Sequence, residues 1–523
     1  MIKKLIIGNN IISFLFLFRS GYMKSYWIDS LKEKEVAKFE PLKENVQADV
    51  CIIGGGLTGI NLAYNLRKYN IKTVLLEKGR ICRKTSGNST AKITSGHGLI
   101  YKYLSDSRGI DFAKKYYEAN EEAVNNIAEI IKKENIDCDF EYQPNYVFTG
   151  TIDDIQRIKE EAEIINKFGG KARYLEAKDI EISNLVKVVA AVKLEKQAQF
   201  NPYKYANAIV KKCVSPRLNI YENTKVVDVI EEEKDYVVKV QNGRRVKTKY
   251  LVLATKYPIV NIPGFYFLKM YQDTSYAIGM KTKEKIFNGM YINSEKPTIS
   301  LRMSKDKDGY MLVVVGSDHK TGAEKDLSNS YARLEQIAKE IYPKGEIQYH
   351  WNTEDCITLD RIPYIGKFST VWENCYVATG FNKWGITTSK IAADIIADKI
   401  LGFENKYESI FTSTRVEPIK NIKEISSMVK TSVDSLIIKK LEIPKEEMNQ
   451  IQKGQGKIVE IDGKKVGIYK NEQGKIYKIN PVCKHLGCEL VWNNLDKTWD
   501  CPCHGSRYDY KGKLIYGPSV KDL

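Results

Sequence analysis

The hydrophobic pattern switches repeatedly between two periods. In "ADVCIIGGGLTGINLAYNLRKYNIKTVLLEKG" (Ala48–Gly79) the apolar run Val50–Ile53 predicts a buried strand. A glycine turn, apolar positions at helical spacing and a second apolar run ending at Glu77 follow. Strand patterns return in "NTKVVDVIEE" and "YLVLAT" near 223–255. "NCYVATGFNKWGITTSKIAADIIADKI" (Asn374–Ile400) again predicts a strand, a glycine-rich turn and a helix. Between these segments, "DFAKKYYEANEEAVNNIAEIIKKENI" and "DDIQRIKEEAEIINKF" read as charged, amphipathic helices, and "GYMLVVVGS" as a strand of an antiparallel sheet. After about Glu417 the alternation stops. Ile422, Ile425, Val429, Val433 and Leu436 keep helical spacing and predict a connector helix within 416–449. "KIVEIDGKKVGIYKNEQGKIYKI" then predicts three short strands with glycine turns. No internal repeat or low-complexity tract interrupts the pattern.

Composition changes this picture little. The 523 residues, 43% hydrophobic and 28% charged, suffice for two or three globular domains. The net charge is +17, but no basic stripe interleaved with aromatics accompanies it, so nucleic acid is not expected as a partner. A basic face that steers an acidic redox partner fits the charge better. The N-terminal "MIKKLIIGNNIISFLFLF" is too short to span a bilayer and lacks both an A-x-A site and an Arg-Arg pair. Residues 1–22 are therefore expected to be a start-site artefact or a disordered extension ahead of a start at Met23. A cytoplasmic location, with membrane contact at most peripheral, is the expectation.

Gly54, Gly56 and Gly59 form G-x-G-x-x-G directly after the first strand. The first glycine makes the turn, the second admits a pyrophosphate to the backbone, and the third lets helix pack on strand. Glu77 ends the second strand, where an acid can bind a ribose hydroxyl pair. Strand, glycines, helix and acid in register point to a dinucleotide.

A second chemistry lies near the C-terminus. "CKHLGC" (Cys483–Cys488) and "CPCHGS" (Cys501–Ser506) hold four of ten cysteines and two of five histidines. Each offers one Cys and one His at ligand spacing, Cys483 with His485 and Cys501 with His504. Two thiolates and two imidazoles in matched loops are the donor set of a Rieske 2Fe–2S centre. A structural zinc knuckle or a buried disulfide is the alternative. The sequence resembles the Rieske pattern at every fixed position. That resemblance implies a disulfide between Cys488 and Cys503, as in Rieske proteins of the cytochrome bc type. It also implies that Ser506 and Tyr508 donate hydrogen bonds to cluster sulfur and raise the potential.

The glycine motif, "TSGNSTAKITSGHG" (Thr85–Gly98) and the closing strand–turn–helix resemble the glycine oxidase/sarcosine oxidase type of FAD-dependent amine and amino-acid oxidoreductases, over roughly Ser25 to Tyr407. The opening "SYW" (Ser25–Trp27) is similar to γ-glutamylputrescine oxidoreductase relatives. The resemblance implies FAD contacts from Thr85, Ser86 and Val226, and a turn from Gly380 through Gly385 to Thr387 aimed at the flavin pyrimidine. Thr387 stands where sarcosine-oxidising relatives carry a lysine, which argues against a simple amino-acid substrate. The loop after the second strand lacks the histidine that carries a covalent flavin in some relatives, and Cys356 is out of register with the corresponding cysteine. Noncovalent FAD is expected. Lys92 reads as a basic group facing the flavin or as a solvated loop lysine, and His97 as a flavin neighbour or a satisfied loop histidine. They are the candidate catalytic residues.

The expected architecture is an α/β FAD-binding Rossmann-like domain with an α+β substrate domain, plus a small all-β Rieske domain at the C-terminus. The FAD-binding part takes about 47–110, 196–258 and 352–415, and the substrate part 111–195 and 259–351, within 23–415. The Rieske domain takes 450–523. A flavin takes two electrons together and a 2Fe–2S cluster carries one. The combination predicts a dehydrogenase that oxidises an amine or related small molecule and passes electrons singly to a partner protein or quinone. A redox relay or sensor without an organic substrate is the alternative. A Rieske oxygenase is excluded, because His97, His319 and His350 show no paired metal-ligand spacing.

Overall fold

The computed structural model describes residues 24–323, 327, 329–415 and 448–523. The expectations for residues 1–22 and for the connector helix through Leu436 lie outside the described residues. The glycine-rich start forms as the pattern requires. Strand Val46–Ile53, helix Leu57–Leu66 and strand Thr73–Leu76 follow in order, and the two strands pair in parallel. The sheet order is Tyr364–Lys367, Cys375–Thr379, Arg245–Lys256, Val46–Ile53, Thr73–Leu76, Leu218–Tyr221. A hairpin of Val226–Glu232 and Asp235–Val240 is attached through Arg245–Lys256. The four central pairings are parallel. Val50, Ile52 and Leu75 accordingly face helices on one side, while Cys51, Ile53 and Val74 pack in a second core on the other.

A second, nine-stranded sheet runs from Glu346–Thr358 through Met270–Thr282, Gly309–Lys320, Ile299–Asp306, Met290–Asn293, Glu141–Thr149 and Ala190–Gln199 to the short strand Lys92–Ile93, with Ala172–Glu176 also paired to Ala190–Gln199. The two charged segments form the helices Ile110–Lys133 and Ile155–Lys167. The C-terminal unit is all β: a meander of Gly456–Ile461, Lys464–Lys470 and Ile476–Ile479, then four strands, Val491–Asn493, Thr498–Asp500, Arg507–Asp509 and Leu514–Tyr516. Among the described residues no helix is long and apolar enough to cross a membrane.

Candidate functional site

A cavity of about 380 Å3 opens where the two sheets meet the C-terminal unit. Gly54, Gly55 and Gly56 line it, and helix Leu57–Leu66 starts there from Gly56, which has no side chain to cap it. The turn tolerates no larger residue: Gly54 has φ +114°, and a Cβ there would meet the Ala254 carbonyl oxygen at 2.4 Å. Gly59 does not line the cavity; its missing Cβ lets the helix sit on Gly54. Glu77 accepts the Gly55 and Gly79 N–H groups, each at 2.8 Å, which fixes its carboxylate at the cavity edge. Helix Gly385–Leu401 also opens on the cavity without a side-chain cap. Two helix N-termini facing one space suit an anionic or electron-rich ligand. Val226, Gly380 and Thr387 line the same cavity.

Loop Thr85–Lys92 is clamped from three sides. Ser25 Oγ donates to Gly87 O at 2.5 Å, Trp27 Nε1 to Ser89 O at 2.9 Å, and the buried Arg302 to Ala91 O at 2.7 Å. Ser86 Oγ accepts the Leu57 N–H at 3.1 Å and Thr85 Oγ1 donates to Glu354 O at 3.2 Å. Lys92 is no solvated loop residue. It is 7% exposed and donates to Tyr291 O (2.7 Å) and Ser300 Oγ (2.5 Å). Burial, reinforced by Arg302, holds its pKa well below the usual lysine range. His97 both lines the cavity and is satisfied. Nε2 lies 2.9 Å from Thr94 O and 3.2 Å from Thr387 Oγ1, Nδ1 lies 3.2 Å from Tyr116 OH, and the ring stacks on Trp384. Burial pulls its pKa down to about 3, so the ring is neutral. Two further groups reach the cavity, Asp355 and Cys356. Burial pushes Asp355 up to about 6 against the pull of Lys383 and Lys256. Burial likewise pushes the Cys356 thiol up to about 12.

The two Cys/His loops face each other at one end of the C-terminal unit. Cys483 and Cys501 are buried thiols, and the His485 and His504 rings meet edge to face, centroids 4.9 Å apart. Burial keeps both imidazoles neutral, at about 4 and about 3. Both Nδ1 atoms are buried and have no hydrogen-bond partner among the described residues. Cys488 and Cys503 are joined in a disulfide. Their sulfurs and that of Cys501 lie within 4.8 Å, so only Cys501 of the three keeps a free thiol. Tyr508 OH lies 3.5 Å from Cys483 Sγ and accepts the Lys484 N–H at 3.2 Å. Ser506 Oγ accepts the Ser519 N–H at 3.0 Å. Two buried thiols and two orphaned, neutral imidazole nitrogens fit a two-thiolate, two-imidazole cluster.

The two sites share a wall. Leu514, Tyr516, Gly517, Ser519 and Val520 of the C-terminal unit line the same cavity as the Gly54–Gly56 turn. The Tyr516 ring is flanked by Lys84 and Lys256 at 4.9 and 4.8 Å. Arg507 reaches out of the C-terminal unit to Glu354 at 2.7 Å while holding Asp496 and Asp500 at 2.6 and 3.0 Å. His485 Nε2 and Asn261 Oδ1 are 2.7 Å apart, and Tyr257, whose buried hydroxyl has no partner among the described residues, packs edge-on to the same ring.

The family model "FAD dependent oxidoreductase" matches residues 49–399, and "Rieske [2Fe-2S] domain" matches 442–523. The chain belongs to the FAD dependent oxidoreductase family and carries a C-terminal Rieske domain. It is 35% identical over 500 residues to YhfW of Bacillus subtilis (strain 168), which bears a Rieske 2Fe-2S iron-sulfur designation, covering 96% of this chain and 97% of YhfW. It is 24% identical over 409 residues to gamma-glutamylputrescine oxidoreductase of Escherichia coli (strain K12), covering 74% and 91%. The fold is that of glycine oxidase from Geobacillus kaustophilus (TM-score 0.58, 16% identity, 72% of this chain and 100% of that one). As an FAD dependent oxidoreductase with a Rieske domain the protein is an enzyme whose cofactors are FAD and a 2Fe–2S cluster. The zinc alternative is set aside. Sequence reasoning did not single out Asp355, Gln272, Tyr257, Asn261 or Tyr516. Each sits in an ordinary strand or loop pattern and gains its meaning only from a partner more than fifteen residues away in the chain.

Proposed function

We propose that this protein is a dehydrogenase that oxidises an amine or related small molecule and hands the electrons one at a time to a protein or quinone acceptor. FAD supplies the two-electron oxidation and the 2Fe–2S cluster the single-electron delivery. The observation that carries the reading is the shared wall: the strand after Arg507 ends in the flavin cavity. Gly54, Gly56, Glu77, Thr85, Ser86, Val226, Gly380, Gly385 and Thr387 are positioned to hold FAD, with Gly59 setting the helix behind them. A residue other than histidine at the loop position that carries a covalent flavin in some relatives, and a protonated Cys356, favour noncovalent attachment. Cys483, His485, Cys501 and His504 would hold the cluster through two sulfurs and two Nδ1 atoms, with Tyr508 and Ser506 tuning it.

An ammonium substrate is supported by one carboxylate of the cavity wall, Asp355. Lys383 already pairs with Asp318 (2.9 Å) and Asp273 (3.5 Å), and Lys256 with Glu354 (3.2 Å), which leaves Asp355 to face the space. Lys92, whose Nζ is held by Tyr291 O and Ser300 Oγ, and the neutral His97 ring stacked on Trp384 line the same space and can orient a substrate there. The similarity to gamma-glutamylputrescine oxidoreductase points to the same substrate class. An anaerobic screen of amines and amino acids, followed by flavin absorbance, tests the reading. Bleaching by an amine, with the cluster reduced afterwards, is expected. Flavin that no such compound bleaches, yet that exchanges electrons with the cluster, would instead mark a relay.

A further inference from the structure

Four apolar side chains that face solvent lie on two segments that meet at the cluster loops. Ile262, Phe265, Leu268 and Leu486 are 64%, 42%, 62% and 39% exposed. The first three lie on the loop between strands Arg245–Lys256 and Met270–Thr282, and Leu486 directly follows His485. Contacts tie this loop to the histidine rings. Asn261 bonds His485, the Phe267 ring lies 6.3 Å from His485 and 5.8 Å from His504, and Phe265 lies 6.0 Å from Phe267. Phe265 has φ +53°, a conformation that a bulky residue rarely adopts, and it holds an aromatic ring in water. Exposed apolar groups clustered in this way mark interaction surfaces.

The surrounding charge selects the occupant. Segments 258–269 and 484–487 contain no Asp or Glu, while Lys269 and Lys484 stand in them and the charge of Lys320 falls on His504. The whole chain is +17. A quinone would have to take its hydrogen bond from a ring N–H. His504 is only 4% exposed, and His485 Nε2 is already held by Asn261. An apolar centre with a basic edge over a ring edge suits a protein that needs proximity rather than a hydrogen bond.

We propose that Ile262, Phe265, Leu268 and Leu486, edged by Lys484 and Lys269, are the docking surface for an acidic single-electron carrier protein. This rests on the outward electron flow argued above. One electron leaves the reduced cluster and reduces the carrier's metal, and no bond forms or breaks.

The test uses the holoprotein with its cluster reduced by dithionite and desalted. No amine is present, so failure of the substrate reading cannot be mistaken for failure of this one. Reoxidation of the cluster is followed by stopped flow with an acidic blue-copper protein, with ferricyanide and with decylubiquinone. In Leu268→Glu the copper-protein rate should fall at least tenfold while the ferricyanide rate stays within twofold, and Lys484→Glu should act in the same direction. In the unaltered protein the copper-protein rate should fall with added salt. Copper-protein rates within twofold of the unaltered protein in both variants would overturn the proposal. So would a selective loss toward decylubiquinone, which assigns the patch to a quinone, or a dimer in sedimentation that Leu268→Glu dissolves, which assigns it to a second copy.

Discussion

The side-chain amide of Gln272 donates to the backbone carbonyl of His504 at 2.7 Å. The same nitrogen donates to Gly517 O at 2.9 Å, and Oε1 accepts Lys256 Nζ at 2.5 Å. One buried side chain from the second sheet therefore ties a cluster loop to the flavin-cavity wall. In Gln272→Leu the two carbonyls lose this partner, and Lys256 loses its bond to Oε1 while keeping the one to Glu354. Each unsatisfied buried group costs about 1–3 kcal/mol. We expect denaturant unfolding of the holoprotein to show a loss of about 2 kcal/mol or more, with faster FAD release because Gly517 lines the cavity.

Arg507 is the second tie. Its side chain is 2% exposed among Glu354, Asp496 and Asp500. Arg507→Met leaves Asp496 and Asp500 buried without this cation and Glu354 with Lys256 alone, and should destabilise by about 3–5 kcal/mol. Glu354→Gln removes one acid of three and should cost less. Thermal melts of the two variants check the order; a milder Arg507→Met would mean that water reaches the cluster of acids.

Tyr508→Phe should lower the cluster potential. Its hydroxyl lies against Cys483 Sγ, and a donor to sulfur favours the more negative, reduced state. Part of the roughly 1.5–3 kcal/mol of a bond to a charged acceptor should appear in the potential. At about 59 mV per tenfold for one electron, the drop should be tens of millivolts. Redox titration with the flavin as internal reference measures it. An unchanged potential would remove Tyr508 as a tuning group.

Asp355 gives the pH dependence. Its folded pKa is raised from about 3.8 to about 6, chiefly by burial, although part of the residue reaches the open cavity. The ionised form, present above about pH 6, is the one that attracts an ammonium ion. Affinity for a cationic amine should therefore weaken as pH falls below 6, by up to tenfold per unit. Asp355→Asn should bind weakly and without that slope. Stability runs the other way. A raised carboxyl pKa is a contribution fully present below about pH 4 and lost as pH rises through 6. Asp355→Asn should thus be more stable than the unaltered protein at pH 8, by about 1–3 kcal/mol. Binding titrations and melts at pH 5 and pH 8 check both signs.

What could be read from the chain was what is local in it. The Gly54–Gly59 turn and the Cys483–Cys488 and Cys501–Ser506 loops carry their chemistry within six residues, so spacing alone announces them. Helices such as Ile110–Lys133 followed from periodicity because one face is apolar throughout. Asp355 and Gln272 gave no such signal. Each lies on a long strand whose neighbours are unexceptional, and its role comes from groups brought in by the fold. Lys92 and His97 carry two meanings in the sequence, since a basic residue in a loop does not reveal whether a sheet will close over it. Here Ser300 and Tyr291 close over Lys92.

The shared wall also sets an order of assembly. Residues 514–520 are made more than a hundred residues after the Gly380–Gly385 turn, so during synthesis the sheets around the cavity can form while one side of it is still open. A large cofactor has an unobstructed way in during that interval. Once the C-terminal β unit has folded and docked, Leu514, Tyr516, Gly517, Ser519 and Val520 complete the wall on that side.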